Sequence, residues 1–196
     1  DVKMVSNYTD VDDKIIKVAK ECGVTEKEIT DKFIKAYNQD RLSLHAMMPD
    51  AAPKVTDTMD AIIAFIKLLV EKGNDGDVYF RVNSVPSYGN LSHQQIDDLM
   101  VGARIDENSK KENPLDFTRW KRTEEGIKWD SPWSVGRPGW HTECVVMINQ
   151  EFDGNLIDIH GGGMDLKFPH HENEIAQSRA AYETPIANYW VHNGMV

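Results

Sequence analysis

Three consecutive glycines, Gly161–Gly163, stand between an apolar run and a proline-led polar segment, and few local folds accept that order. Leu156–Ile159 suits a buried strand. The glycines then let backbone approach a ligand closely, and Pro169 sits where a helix can begin. On that helix His170 and Glu174 are four residues apart and therefore lie one turn apart on the same face. An imidazole and a carboxylate so placed are suitable metal ligands. Cys144, upstream, could add a thiolate, and such a mixed S, N and O set with an open position suits zinc. Spacing alone leaves another reading open, in which His170 and Glu174 are a surface pair and Cys144 is a small core residue. Gly161–Gly163 is equally compatible with a tight loop that holds nothing. It matches neither the phosphate-loop pattern nor GxGxxG.

The rest of the chain gives these residues their setting. Val2–Ser6 reads as a short buried strand. Asp10 is expected to cap a helix whose Val11, Ile15, Ile16 and Ala19 share a face, closed by Gly23. Thr25 and Glu28 have capping-box spacing and open a second helix, with Ile29, Phe33, Ile34 and Tyr37 on one stripe. Prolines and methionines between His45 and Pro53 mark a boundary. A third helix follows, with Met59, Ile62, Ile63, Ile66, Leu69 and Val70 at helical spacing and Gly73 as its stop. Asn74–Gly76 is a turn, and Val78, Phe80 and Val82 alternate as a strand. Leu91–Leu99 reads as a short helix capped by Ser92, and Asp106–Asn113 as an exposed loop. Beyond Leu115 the composition changes: all five tryptophans and most of the glycines and histidines lie there, so chemistry is expected there. Gly136–His141 reads as a rigid loop presenting a cation and an indole. The acids of Tyr8–Asp13 read as complementing a helix dipole.

Composition narrows the function classes. A chain of 196 residues that is 40% hydrophobic can bury a core. A net charge of −10 argues against a broad phosphate-gripping surface, and no DNA partner is expected. Two cysteines, Cys22 and Cys144, imply no disulfide framework and point to the reducing cytoplasm. The first residues lack the basic-then-apolar run of a secretory signal. No apolar stretch approaches the roughly 18 residues of a membrane span, so no membrane partner is expected.

Several long strings occur together and in order. Asn7–Ile16, Ser131–Trp133 with Gly136–Cys144, the block Asp158–Gln177, and Asn188–Val196 together resemble the cysteinyl-tRNA synthetase family. The resemblance implies an α/β fold: a class I synthetase Rossmann-like catalytic domain, residues 1–49 and 131–196, interrupted by a small α+β connective insertion, residues 50–130. It implies that Cys144, His170 and Glu174 ligate Zn2+, a fourth ligand being a cysteine outside these residues. It further implies that Trp140 walls the cysteine pocket, that Thr9 and Asp165 face the ammonium group, and that His160 with Gly161, Gly162 and Gly163 lies near ATP. The implied partners are cysteine, ATP with Mg2+, and tRNA(Cys). The family's His-Ile-Gly-His and Lys-Met-Ser-Lys-Ser signatures are not among these residues, so the chain is expected to be inactive alone. Two other readings stand beside this one. A related ligase joins cysteine to an amino-sugar, and a zinc-stabilised module would have no catalysis at all.

Overall fold

The computed structural model describes residues 1–70, 77–93, 111, 113–152, 154 and 156–194. Gly73, the Asn74–Gly76 turn, most of the expected Leu91–Leu99 helix and most of the Asp106–Asn113 loop lie outside the described residues.

Helix α1 spans Asp13–Cys22 and ends at Gly23, whose φ of 67° is a left-handed conformation that glycine adopts without strain. Its cap is Asp12, which accepts from Lys14 N, rather than Asp10. Asp10 is occupied elsewhere: its carboxylate accepts from the backbone and hydroxyl of Thr56, tying the chain before α1 to the 3-10 turn Thr56–Thr58. Asp13 bonds Lys121 and Arg137, which hold its carboxyl below the ordinary range although partial burial pulls upward. Each acid of this cluster thus has a specific partner beyond the helix dipole.

Helix α2, Glu26–Ser43, opens with the capping box read from Thr25 and Glu28. Its apolar stripe is not buried: Phe33 is 61% exposed and Tyr37 is exposed as well. Residues 2–6 likewise do not form a buried strand. Val2 is exposed, and the segment that follows pairs in parallel with residues 51–54 through isolated bridges at Val5–Ala51 and Tyr8–Lys54.

Helix α3, Met59–Val70, turns Met59, Ile62, Phe65 and Ile66 inward. They join Val145, Val146, Met147 and Ile148 of α4 (Glu143–Glu151) and Ile175 of α5 (Glu172–Tyr182) in the larger core, with Trp120 fully buried among them. Burying each such aliphatic side chain contributes about 1.5–3 kcal/mol. Strands β1 (Val78–Phe80), β2 (Phe117–Arg122) and β3 (Gly136–Pro138) form an antiparallel sheet in that order. Val82, expected within the first strand, belongs to a 3-10 turn, Val82–Ser84. A second core of Phe80, Val82, Val85, Tyr88, Leu115 and Phe117 packs on Ala176 of α5. Helix α5 therefore lies between two apolar clusters, one through Ile175 and one through Ala176.

Strands β4 (Ile157–Gly163) and β5 (Ala187–Asn193) pair in parallel, with α5 as the crossover between them. Parallel neighbours require such a crossover. This βαβ unit is the Rossmann-like element of the α/β fold. The three glycines are its strand end rather than a loop: Gly161, Gly162 and Gly163 pair with Val191, His192 and Asn193. Arg137, expected to be presented on a loop, is a buried residue of β3 bound to Asp13.

Just past β3 the backbone of Gly139 lies so close to β2 that an added Cβ would sit 1.8 Å from Thr118 O. We expect Gly139→Ala to destabilise the protein by at least about 1–3 kcal/mol, the range for overpacking. Urea unfolding measures this, and an unchanged midpoint would contradict the close approach.

Candidate metal centre

Helix α5 begins after a kink. Phe168 has extended dihedrals, φ −139° and ψ 134°, so the helical turn starts beyond it and carries His170 and His171 into Glu172–Tyr182. His170 and Glu174 face the same way, as the four-residue spacing requires, and His170 Nε2 lies 2.8 Å from Glu174 Oε1. Cys144, in the first turn of α4, places Sγ 3.6 Å from the same His170 nitrogen. The candidate donor atoms of Cys144, His170 and Glu174 all lie within 4.8 Å of one another. Asn7 Nδ2 approaches the sulfur at 3.9 Å from the segment before α1.

The strands complete the surroundings. Alternation turns His160 and Gly162 of β4 to one face, alongside Trp190 and His192 of β5 in register. That face meets α5. His160 Nε2 lies 2.8 Å from Glu174 Oε2, and His171 Nδ1 lies 2.8 Å from His192 Nε2. A Cβ on Gly162 would come within 2.9 Å of the His171 ring, so the strand needs glycine there to sit against this histidine.

Among the described residues, two groups of possible ligands share Glu174, namely Cys144 with His170 and His160 with His171. The carboxylate distinguishes them. Oε2 is satisfied by a directed hydrogen bond with His160, whereas Oε1 is buried without one, its contact to His170 being close but misdirected. A buried carboxylate oxygen left without a donor costs free energy unless a cation meets it. Oε1 faces the sulfur group, which is therefore the better fit for a metal. Its S, N and O donors are those of borderline-soft zinc.

Electrostatics agree with that reading. Burial pushes the Cys144 thiol well above its ordinary value, and the Glu174 and Glu143 carboxylates add to it. Only a cation would ionise this sulfur here. Burial also opposes charge on Glu174, yet His160 and His170 hold it well below the carboxylate range. For His160, burial acts downward but the facing Glu174 outweighs it and raises the pKa. Burial lowers His171 to about 4 and His141 to about 3, and it raises Glu143 to about 8. A neutral His141 can accept at Nδ1, which lies 3.0 Å from His170 Nδ1. That contact directs the other nitrogen of His170, Nε2, toward the sulfur and carboxylate, as the outer partners of metal-binding histidines do.

The helix is held from its other sides as well. Glu172 accepts from Gly89 N, Ser92 N and Ser92 Oγ, and Asn173 accepts from Tyr88 OH at 2.6 Å. Ser92 thus bonds Glu172, and the helix expected to follow it lies mostly outside the described residues.

Of the residues named from the sequence, Cys144, His170, Glu174, His160 and Gly162 come together here. Trp140, 49% exposed, lies against His170, with ring centroids 4.6 Å apart and the planes tilted by 31°. Thr9 and Asp165 are exposed, and Asp165 lies in the 3-10 turn Met164–Leu166 beside Gly163. Cys22 is exposed at the end of α1. His141, His171, His192, Glu172 and Gln177 also belong to this cluster, although spacing along the chain assigns them no role. Placing His141 three residues before Cys144 at a helix start, and Gln177 three after Glu174, were the available signals.

Residues 1–196 match the class I (C) tRNA synthetase catalytic domain, and the chain belongs to that family. Similar proteins include the cysteine–tRNA ligases of Exiguobacterium sibiricum, Staphylococcus carnosus and Halalkalibacterium halodurans, 56%, 55% and 54% identical over 201 residues. Each alignment covers 100% of this chain and 43% of the relative, so the chain spans under half the length of these curated relatives.

The neutral, buried His141 generates a pH prediction. Its folded pKa, about 3, lies below the ordinary 6.5, so the unfolded state binds the proton first as pH falls. The stability it contributes is present above pH 6.5 and is lost progressively toward pH 3. Between pH 7 and 5 the urea midpoint of the metal-free protein should fall more steeply in the wild type than in His141→Asn. Parallel slopes would show that His141 is not held neutral.

Proposed function

We propose that the chain is the catalytic-domain portion of a cysteine–tRNA ligase, with zinc held by Cys144, His170 and Glu174. The observation that carries this is the convergence of those three donors on a buried carboxylate oxygen that no directed hydrogen bond satisfies. Relatives more than half identical and named as tRNA ligases favour this reading over an amino-sugar ligase. A fourth ligand would come from outside these residues.

The reaction has two steps. A cysteine carboxylate oxygen attacks the α-phosphorus of ATP, and the bond to pyrophosphate breaks. A hydroxyl of the tRNA 3′ ribose then attacks the activated carbonyl, and AMP leaves. When bound, zinc would supply a centre that holds a thiolate tightly and a serine hydroxyl poorly. An ordinary pocket separates such similar side chains by only about 1–3 kcal/mol.

The protein's own groups would bind and orient. Trp140, lying against His170, would form the wall of the cysteine pocket, and Thr9 and Asp165 would face the ammonium group. Gly161–Gly163, following His160, would offer close backbone approach to ATP with Mg2+. His160 has its Nε2 committed to Glu174, so any nucleotide contact would use the rest of its ring. Residues 50–130 would hold the connective insertion, although α3 within that span packs in the larger core with α4 and α5. Among the described residues no helix is long and apolar enough to cross a membrane. The proposed compartment is the cytoplasm, where ATP, tRNA(Cys) and a reduced Cys144 coexist; no DNA partner is proposed.

The test is made on the full-length protein. Near-stoichiometric zinc should be present and should be lost in Cys144→Ser. Cysteine-dependent ATP–pyrophosphate exchange should fall with it, and serine should not substitute. A wild type without zinc and without cysteine-dependent exchange would refute the proposal.

A further inference from the structure

We infer that Gln177 is the positioning residue that sets the geometry of the Cys144, His170 and Glu174 donors; this rests on the metal reading above. Gln177 is fully buried on α5, three residues beyond Glu174. Its Nε2 donates to His141 O at 2.6 Å and to Asn173 O at 3.2 Å, and its Oε1 accepts from Thr142 Oγ1 at 3.1 Å. Both amide hydrogens are thereby used.

These partners lead to the donors by two routes. Thr142, also fully buried, stands immediately before α4, two residues from Cys144. His141 turns its ring to His170, Nδ1 to Nδ1 at 3.0 Å. One amide therefore joins the helix that carries Glu174 both to the start of the helix that carries Cys144 and to the residue that orients His170.

Apolar packing could not do this alone. Val145, Val146 and Ile148 share a core with Ile175, but such contacts are non-directional and do not fix how the two helices register along each other. Hydrogen bonds prefer nearly straight geometry over a narrow distance range, and the two from Gln177 that cross to His141 and Thr142 fix the register, while the bond to Asn173 O stays within α5 and holds the amide in place. The sulfur belongs to one helix and the carboxylate to the other, so a small slip would separate the donors while leaving the core filled.

The experiment uses full-length protein, with zinc affinity measured by competition against a chromophoric chelator. The cobalt(II) form reports the geometry through its thiolate charge-transfer band. Gln177→Met keeps the length and apolar fill, and Thr142→Val removes only one of the bonds, so the second variant decides should the first fail to fold. Zinc affinity is expected to fall about 10–100-fold in Gln177→Met, the range for lost outer-shell partners, and by less in Thr142→Val. The cobalt–thiolate band should weaken or shift in both. Wild-type affinity and an unaltered cobalt spectrum, even with a lowered unfolding temperature, would mean that Gln177 serves stability alone and would overturn the inference. A wild type that takes up no zinc would instead overturn the metal reading on which it rests.

Discussion

The structure depends on the satisfaction of polar side chains buried along one helix. Seven successive residues of α5, Glu172–Ser178, are buried, and five of them are polar. Each unpaired group in such a place costs about 1–3 kcal/mol, and more when charged. The helix can exist only because different elements meet its different sides. Glu172 caps the turn through Gly89 and Ser92, Asn173 receives Tyr88, Gln177 holds His141 and Thr142, and Glu174 faces His160 and His170. Two apolar clusters fill the space between, but the polar pairings decide which residue lies where.

The same helix concentrates the electrostatics. Glu174 is the point where β4, α4 and the turn into α5 converge, and its charge is stabilised in a buried setting by imidazoles on both oxygens. Its two oxygens are not equivalent. One is held by a directed hydrogen bond and the other is left facing a thiol and an imidazole, which gives an otherwise symmetric carboxylate a side suited to a cation. The cysteine there is protonated when no cation is present, since burial and neighbouring acids both oppose a thiolate. Binding of a metal here would therefore be linked to ionisation of the thiol.

Local signals in the sequence translated well where they depended on neighbours along the chain. The Thr25–Glu28 capping box, the left-handed Gly23, the inward face of α3 and the one-turn spacing of His170 and Glu174 all follow from backbone periodicity. Signals failed where a distant partner outbid the local one. Asp10 lost the helix cap to Asp12 because Thr56 claims its carboxylate. The glycine triplet continued a strand because β5 supplies hydrogen-bond partners that no local reading reveals. The stripe on α2 was left only half covered, with Phe33 and Tyr37 exposed, because helical spacing shows which residues share a face, and not what covers it.

Much of the candidate site was legible as residue types. Chain order and long motif strings placed Cys144, His170 and Glu174 in one family, and the three converge as a set. Their environment was not legible. His141, His192 and Gln177 join the site through contacts between elements far apart in sequence, which depend on strand register and helix packing. By itself the sequence determined the three helices of the first half and which donors were on offer, because these follow from spacing and capping. Only the tertiary structure decided that Glu174 keeps one buried oxygen without a directed hydrogen bond, because a buried carboxylate's partners are set by which elements pack against it.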